Sequence, residues 1–174
     1  LRAHHRYAVI EMGMNHLGEI DYLTRLATPT VALVNNAHSA HVGELGSVEN
    51  IARAKGEIFA GLRPGGIAVI NADDAFAPLW RELNAGRAVI DFGLEHPAQV
   101  SGRYELLPAS VRLEIQLPQQ TIATHLQVPG LHNVRNALAA SAAALALQVA
   151  PPAIAQGLNA FQGVQGRLQS KAVL

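Results

Sequence analysis

No segment constrains the fold more than Val31 to Leu62, VALVNNAHSAHVGELGSVENIARAKGEIFAGL. It opens on Val31-Ala32-Leu33-Val34, a short apolar run with the pattern of a strand buried on both faces. Asn35 and Asn36 mark where the chain leaves the sheet, and the polar loop beyond them carries His38, His41 and Glu44. Ser47 stands where a helix N-cap belongs, with Glu49 in the first turn. A serine hydroxyl there accepts from the free N–H groups, and a carboxylate is favoured beside the positive helix end. At about 100° per residue, Ile51, Ile58 and Leu62 fall within about 20° of one line, and Lys55 about 40° from Ile51. Glu49, Arg53 and Glu57 are expected to point the other way, to solvent. An ammonium inside an apolar stripe must lose its proton, find a partner or be chemically changed. The alternative is a lysine whose stem packs while its head reaches water at the helix edge. The pattern leaves both open.

Composition narrows the classes of function. The 174 residues, 49 % hydrophobic and 15 % charged, suit one globular domain able to bury roughly 70 % of its unfolded surface. Thirteen basic and thirteen acidic side chains balance, so no net field draws nucleic acid or an anionic membrane. No apolar run nears the roughly 20 residues that span a bilayer. The sequence has no cysteine, which excludes disulfides, thiolate metal sites and cysteine nucleophiles, and a reducing, cytoplasmic location is expected. Starting at Leu1 and running almost at once into an apolar stretch, the chain is expected to be a piece of something longer.

Tyr7-Ala8-Val9-Ile10 reads as a strand ending in Glu11-Met12-Gly13. Open α/β sheets bind ligands outside the carboxyl ends of their strands, so a carboxylate there is a candidate for ligand or metal. Asn15 to Ile20 leads into a short helix ending near Ala27, before Thr28-Pro29. With the strand at 31–34 this predicts a parallel βαβ unit, which would bring Glu11 and the His41 loop to the edge faced by Lys55. Ile67 to Ile70 is a third buried strand, followed by Asn71-Ala72-Asp73-Asp74. Asp73 or Asp74 is expected to cap a helix at about 75–84, and Arg87 to Phe92 forms a further short strand.

After Gly93 the period changes. Val111, Leu113, Ile115 and Leu117 alternate with polar residues, and so do Ile122, Leu126 and Val128, with Pro118-Gln119-Gln120 between the two runs. That is a half-buried antiparallel hairpin, and residues 98–129 are expected to form a small antiparallel sheet with His125 on its surface. Gly130-Leu131-His132-Asn133 then opens an alanine-rich, central helix to about Gln148, with Asn133 and Asn136 on one side of its first turn. Asn133 either caps that helix or meets a ligand at its N-terminus. Pro151-Pro152 begins a last helix to about Phe161. The final Ala172-Val173-Leu174 reads as the start of a strand.

Glu11, His41 and a modified Lys55 would make an oxygen- and nitrogen-rich site for a cation such as magnesium. Lysine becomes such a ligand only as a carbamate, which turns its charge negative. The sequence contains neither a G-x-x-x-x-G-K-[ST] loop nor a G-x-S-x-G elbow. The residues alone therefore give an α/β domain with a polar site at its strand ends and leave the reaction open.

Three blocks in order, Ile10 to Ile20, Asn35 to Glu57 with AHVGELGS and AKGEIF, and Gly130 to Ala140 with GLHNVRNALAA, resemble the Mur ligases, ATP-dependent amide-forming enzymes of peptidoglycan synthesis. The first block is most similar to the branch that adds D-alanyl-D-alanine to UDP-N-acetylmuramoyl tripeptide. The resemblance implies a central ATPase domain of P-loop type, over residues 1–168, lacking its P-loop and carrying the antiparallel insertion, with 169–174 starting a linker to a further domain. It implies ATP and Mg2+ as cofactors, with Glu11 and His41 as metal ligands. It makes Lys55 a carbamylated catalytic residue that also serves the metal. Asn133, Asn136 and Arg167 become nucleotide contacts, and Asn36 a substrate contact. The isolated piece is expected to be inactive, since the dipeptide site and the UDP-binding domain would lie outside it. Other readings remain: a folylpolyglutamate synthase with another acceptor, a zinc hydrolase built on Glu11, His38 and His41, or a non-enzymatic α/β scaffold.

Overall fold

The computed structural model describes residues 2, 4–37 and 45–163. In chain order its elements are helix α1 (Glu19–Ala27), strand β1 (Val31–Val34), helix α2 (Val48–Gly56) running into a 3-10 turn (Glu57–Gly61), β2 (Ile67–Asn71), α3 (Ala77–Leu83) and β3 (Ala88–Phe92). There follow β4 (Ser101–Leu106), β5 (Val111–Gln116), β6 (Thr121–Leu126), α4 (Leu131–Ala146) and α5 (Pro151–Ala160).

β1, β2 and β3 form a parallel sheet in that order, with Val31 opposite Ile67 and Ile67 opposite Ala88. Both faces are covered, which is why these strands read as unbroken apolar runs. Ala32, Val34, Ala68 and Ile70 pack with α1, α2 and α3 around Ile51, Phe59 and Trp80. Leu33, Val69, Ile90 and Phe92 turn to the other side and pack on α4 and the second sheet. In that second sheet β4, β5 and β6 are antiparallel, with Val111 opposite both Leu106 and Leu126. Its inward row, Val111, Leu113, Ile115, Ile122 and Leu126, joins the α4 face of the core. The predicted insertion is therefore present as a sheet, its outward row including His125 exposed as expected. Alanine lets the α4 backbone lie close to both sheets, and Ala137, Leu138 and Ala142 are buried between them.

Two expectations are corrected. Tyr7–Ile10 is not a strand: it has no ladder partner among the described residues, and Tyr7, Val9 and Ile10 are exposed. An apolar tetrad signals burial, but a strand exists only against a neighbour, and none lies beside it here. The βαβ unit expected from it is likewise absent among the described residues. Glu57, in turn, does not point to solvent. Its carboxylate accepts from the backbone N–H of Gly18 (2.8 Å) and of Asp21 (3.2 Å), capping α1 across the fold. Gly18 at the head of α1 has φ +89° and no side chain to do that work. A glycine accepts that angle freely, and the distant glutamate supplies the missing cap.

Candidate functional site

The polar residues of the parallel sheet gather at one place. A strand covered on both faces has no room for an unpaired polar group along its length, so they collect where the strands end. At and beyond the carboxyl ends of β1 and β2 stand Asn35, Asn36, Asn71, Asp73 and Asp74, with the N-terminal part of α4 beside them. Ser47 caps α2 as the sequence predicts, its hydroxyl accepting from the N–H of Asn50 at 3.1 Å. That cap fixes where α2 starts, and with it which face Lys55 occupies.

Lys55 is half-buried on α2, between the fully buried Ala54 and the buried Gly56. Its Nζ donates to the Asn36 carbonyl at 2.7 Å and reaches Asn36 Oδ1 at 3.4 Å. The side chain thus turns to the sheet edge and not to water. Burial pushes the ammonium below its ordinary 10.5, and the nearby Asp74 carboxylate opposes part of that shift. The two Asn36 oxygens and the Asp74 anion stabilise the ammonium, so the depression comes from burial and not from these partners.

Asp74 accepts from the N–H of Ala37 at 2.8 Å and of Phe76 at 2.9 Å, tying the β1 exit to the turn before α3. Asp73 is no helix cap. Its carboxylate is almost wholly buried and accepts from the N–H groups of Leu94 (2.6 Å), Glu95 (3.0 Å) and His96 (2.8 Å). Burial by itself would raise its pKa, but the three N–H donors, with a fourth contact from the His96 ring, outweigh that and hold it below the ordinary 3.8. Asn71, buried, donates to the Asn35 carbonyl at 2.8 Å and accepts from the Asp73 N–H at 2.9 Å. Asn35 reaches the Asn136 side chain at 3.1 Å. Asn133 donates to the Pro129 carbonyl at 2.7 Å, tying the turn before α4 to the helix. Among the described residues it accepts from no free helix N–H, so the expected capping role is not what it fills.

Of the residues singled out in the sequence, the structure joins Asn36 with Lys55 directly and sets Asn136 beside Asn35. Glu11 lies exposed on the stretch before α1, and among the described residues no group of three His, Cys, Asp or Glu gathers to hold a metal. His38, His41, Glu44 and Arg167, with the terminal Ala172-Val173-Leu174, lie outside the described residues. Asn35, Asn71 and the loop-holding role of Asp73 were not foreseen. The one local signal was the presence of asparagines at the ends of buried strands.

Among known proteins, the family described as the Mur ligase middle domain matches residues 1–144. The UDP-N-acetylmuramoyl-tripeptide--D-alanyl-D-alanine ligase of Escherichia coli is 38 % identical over 164 residues, which is 93 % of this chain and 36 % of that protein. The crystal structure of MurF from Acinetobacter baumannii is 41 % identical with a TM-score of 0.94, covering 99 % of this chain and 38 % of that one. A folylpolyglutamate synthase from L. casei, at 21 % identity and TM-score 0.74 over 94 % of this chain and 40 % of its own, shares the fold. The chain thus spans little more than a third of the length of the relatives it matches.

Proposed function

The chain belongs to the Mur ligase family, as its middle domain, and from that premise we propose that it is the ATP-using part of a ligase joining D-alanyl-D-alanine to UDP-N-acetylmuramoyl tripeptide. The whole enzyme would work in the cytoplasm, where the nucleotide-linked precursor is made. Residues 1–168 are the ATP domain in this reading and 169–174 lead toward a further domain that supplies the dipeptide site. The tripeptide carboxylate attacks the γ-phosphorus of ATP and ADP leaves. The amine of the dipeptide then attacks the acyl phosphate carbon, phosphate departs, and the nitrogen gives up a proton.

The observation that carries this reading is the inward Lys55. A neutral Nζ attacks the carbon of carbon dioxide and loses one proton, giving a carbamate whose two oxygens carry the negative charge. Burial, which depresses the ammonium pKa, raises the fraction of amine able to react. The chemistry of these side chains suits a magnesium ion only once Lys55 is modified. As an ammonium Lys55 would repel the cation, whereas as a carbamate it adds oxygen ligands of the kind magnesium takes. Glu11, His41 and carbamylated Lys55 would hold the metal, which supplies charge neutralisation at the phosphoryl group in flight. Asn36 then orients the Lys55 head, and through its side chain meets the substrate carboxylate. Asn136 contacts the nucleotide with Asn133 closing the turn beneath it, and Arg167 reaches the phosphates.

The test is ADP release by the protein encoded by the whole reading frame, with tripeptide precursor and D-alanyl-D-alanine, for wild type and Lys55→Ala, with and without bicarbonate. The expected result is dipeptide-dependent turnover that falls by about 100- to 1000-fold in the variant, the scale of losing a preorganised charge-stabilising group. Turnover driven by glutamate and a folate, and not by the dipeptide, would replace this acceptor with that of the folylpolyglutamate synthases. A fully active variant would return Lys55 to a packing role. The 174-residue chain by itself is expected to turn over no ATP.

A further inference from the structure

The hydrogen bonds at the sheet edge close into a ring. From the second turn of α4, Asn136 meets Asn35 at 3.1 Å, and the Asn35 carbonyl accepts from Asn71 at 2.8 Å. Asn71 Oδ1 takes the Asp73 N–H at 2.9 Å, and the Asp73 carboxylate takes three consecutive N–H groups, Leu94, Glu95 and His96. The Glu95 carboxylate accepts from the Arg135 guanidinium at 2.7 Å, which returns the path to α4 one residue from Asn136. Four separate pieces of chain, the ends of β1 and β2, the loop after β3 and the head of α4, are thus fixed to one another. The anchors are buried, Asn71 at 7 % and the Asp73 side chain at 7 % exposure, while Asn136 at the rim is exposed.

From this we propose that Asn35 is a positioning residue for Asn136: it holds the Asn136 amide in the orientation that meets the nucleotide, and the buried Asn71–Asp73 pair holds Asn35. The inference rests on the reading of Asn136 as a nucleotide contact. An exposed asparagine at a helix head samples several side-chain orientations, and fixing it before the ligand arrives removes that entropy from the cost of binding. Asn35 is suited to this because its own backbone is pinned at the carbonyl by Asn71. A side chain hung on a pinned backbone transmits position; one on a free loop does not.

A double-mutant cycle on ADP binding tests this in the whole protein, by calorimetry with ADP and magnesium, for wild type, Asn35→Ala, Asn136→Ala and the double variant. Thermal melting of each variant confirms that it is folded. Asn35→Ala is expected to weaken ADP binding by about 3- to 10-fold, the range of one neutral hydrogen bond, and the double variant to bind no more weakly than Asn136→Ala alone. Multiplicative losses in folded variants, or no loss in Asn35→Ala, would overturn the positioning role. If Asn136→Ala itself bound ADP as well as wild type, the nucleotide reading of Asn136 would fail, an outcome distinct from the other two. A variant that melts early is replaced by Asn35→Ser, which keeps a short polar side chain but cannot reach Asn136, and the same cycle decides.

Discussion

The two sheets of this molecule are each three strands wide and share one core, yet they treat their polar residues in opposite ways. In the antiparallel sheet, polar side chains are spread along an outward row, as with Arg112 and Glu105, paired at 2.8 Å on an exposed face. In the parallel sheet both faces are covered by helices or by the other sheet, and the polar residues are driven to the strand ends. There they are half-buried, networked and poised against Lys55. Spread-out charge gives solubility and little else, whereas charge confined to a covered edge is desolvated and changes its chemistry. The candidate site therefore lies at the edge of the parallel sheet.

The contrast can be broken at several points. The largest effect separates function from stability at Lys55. Lys55→Met should abolish ligation while leaving the melting temperature of the whole protein equal to or above wild type, because it removes a desolvated amine. The sign with pH follows from the depressed ammonium. The unfolded chain holds that proton up to about 10.5 and the folded chain releases it earlier, so wild type gains stability as pH rises toward 10.5. The variant should lose that slope, and equal slopes in urea titrations across that window would count against the buried amine. Leu113→Ala, in the antiparallel sheet, should do the reverse. Leu113 is 1 % exposed, and its truncation should cost about 2–5 kcal/mol of stability, read from urea unfolding, with the ADP affinity of the folded fraction unchanged.

Asp73→Asn comes next, at about 1–3 kcal/mol, because it weakens three charge-assisted N–H contacts at once. The folded pKa of Asp73 lies below 3.8. Its contribution is thus complete above that value and lost as pH falls through the lower folded pKa, so wild type and variant should converge in strong acid. Acid titrations that stay parallel would remove Asp73 from the ring. The smallest effect is Arg112→Ala, whose pair is exposed at 67 % and 59 %. Its removal should change stability by no more than about 1 kcal/mol, less in high salt.

These differences also explain what the sequence could tell. Period two in Val111–Leu117 and the Ser47 cap are local signals, and both elements lie where they were read. The helix period placed Lys55 in the apolar stripe but left its head open between burial and water; in the structure the amine turns to Asn36. The failures are all long-range. Glu57 meets Gly18 across 39 residues and Asp73 meets Leu94 across 21, and neither partner can be known from the spacing around the carboxylate. Tyr7–Ile10 carried the composition of a strand without the neighbour that would make it one. The ring was hidden for the same reason, since Asn35 and Asn136 stand 101 positions apart.

Lys55, turned inward as an amine, is proposed to be ready for carbamylation. Carbon-13 NMR of the whole protein equilibrated with labelled bicarbonate and magnesium tests it most directly. One carbamate resonance is expected, and it should be absent in Lys55→Arg. A spectrum without that resonance, in an enzyme still competent to ligate, would contradict it.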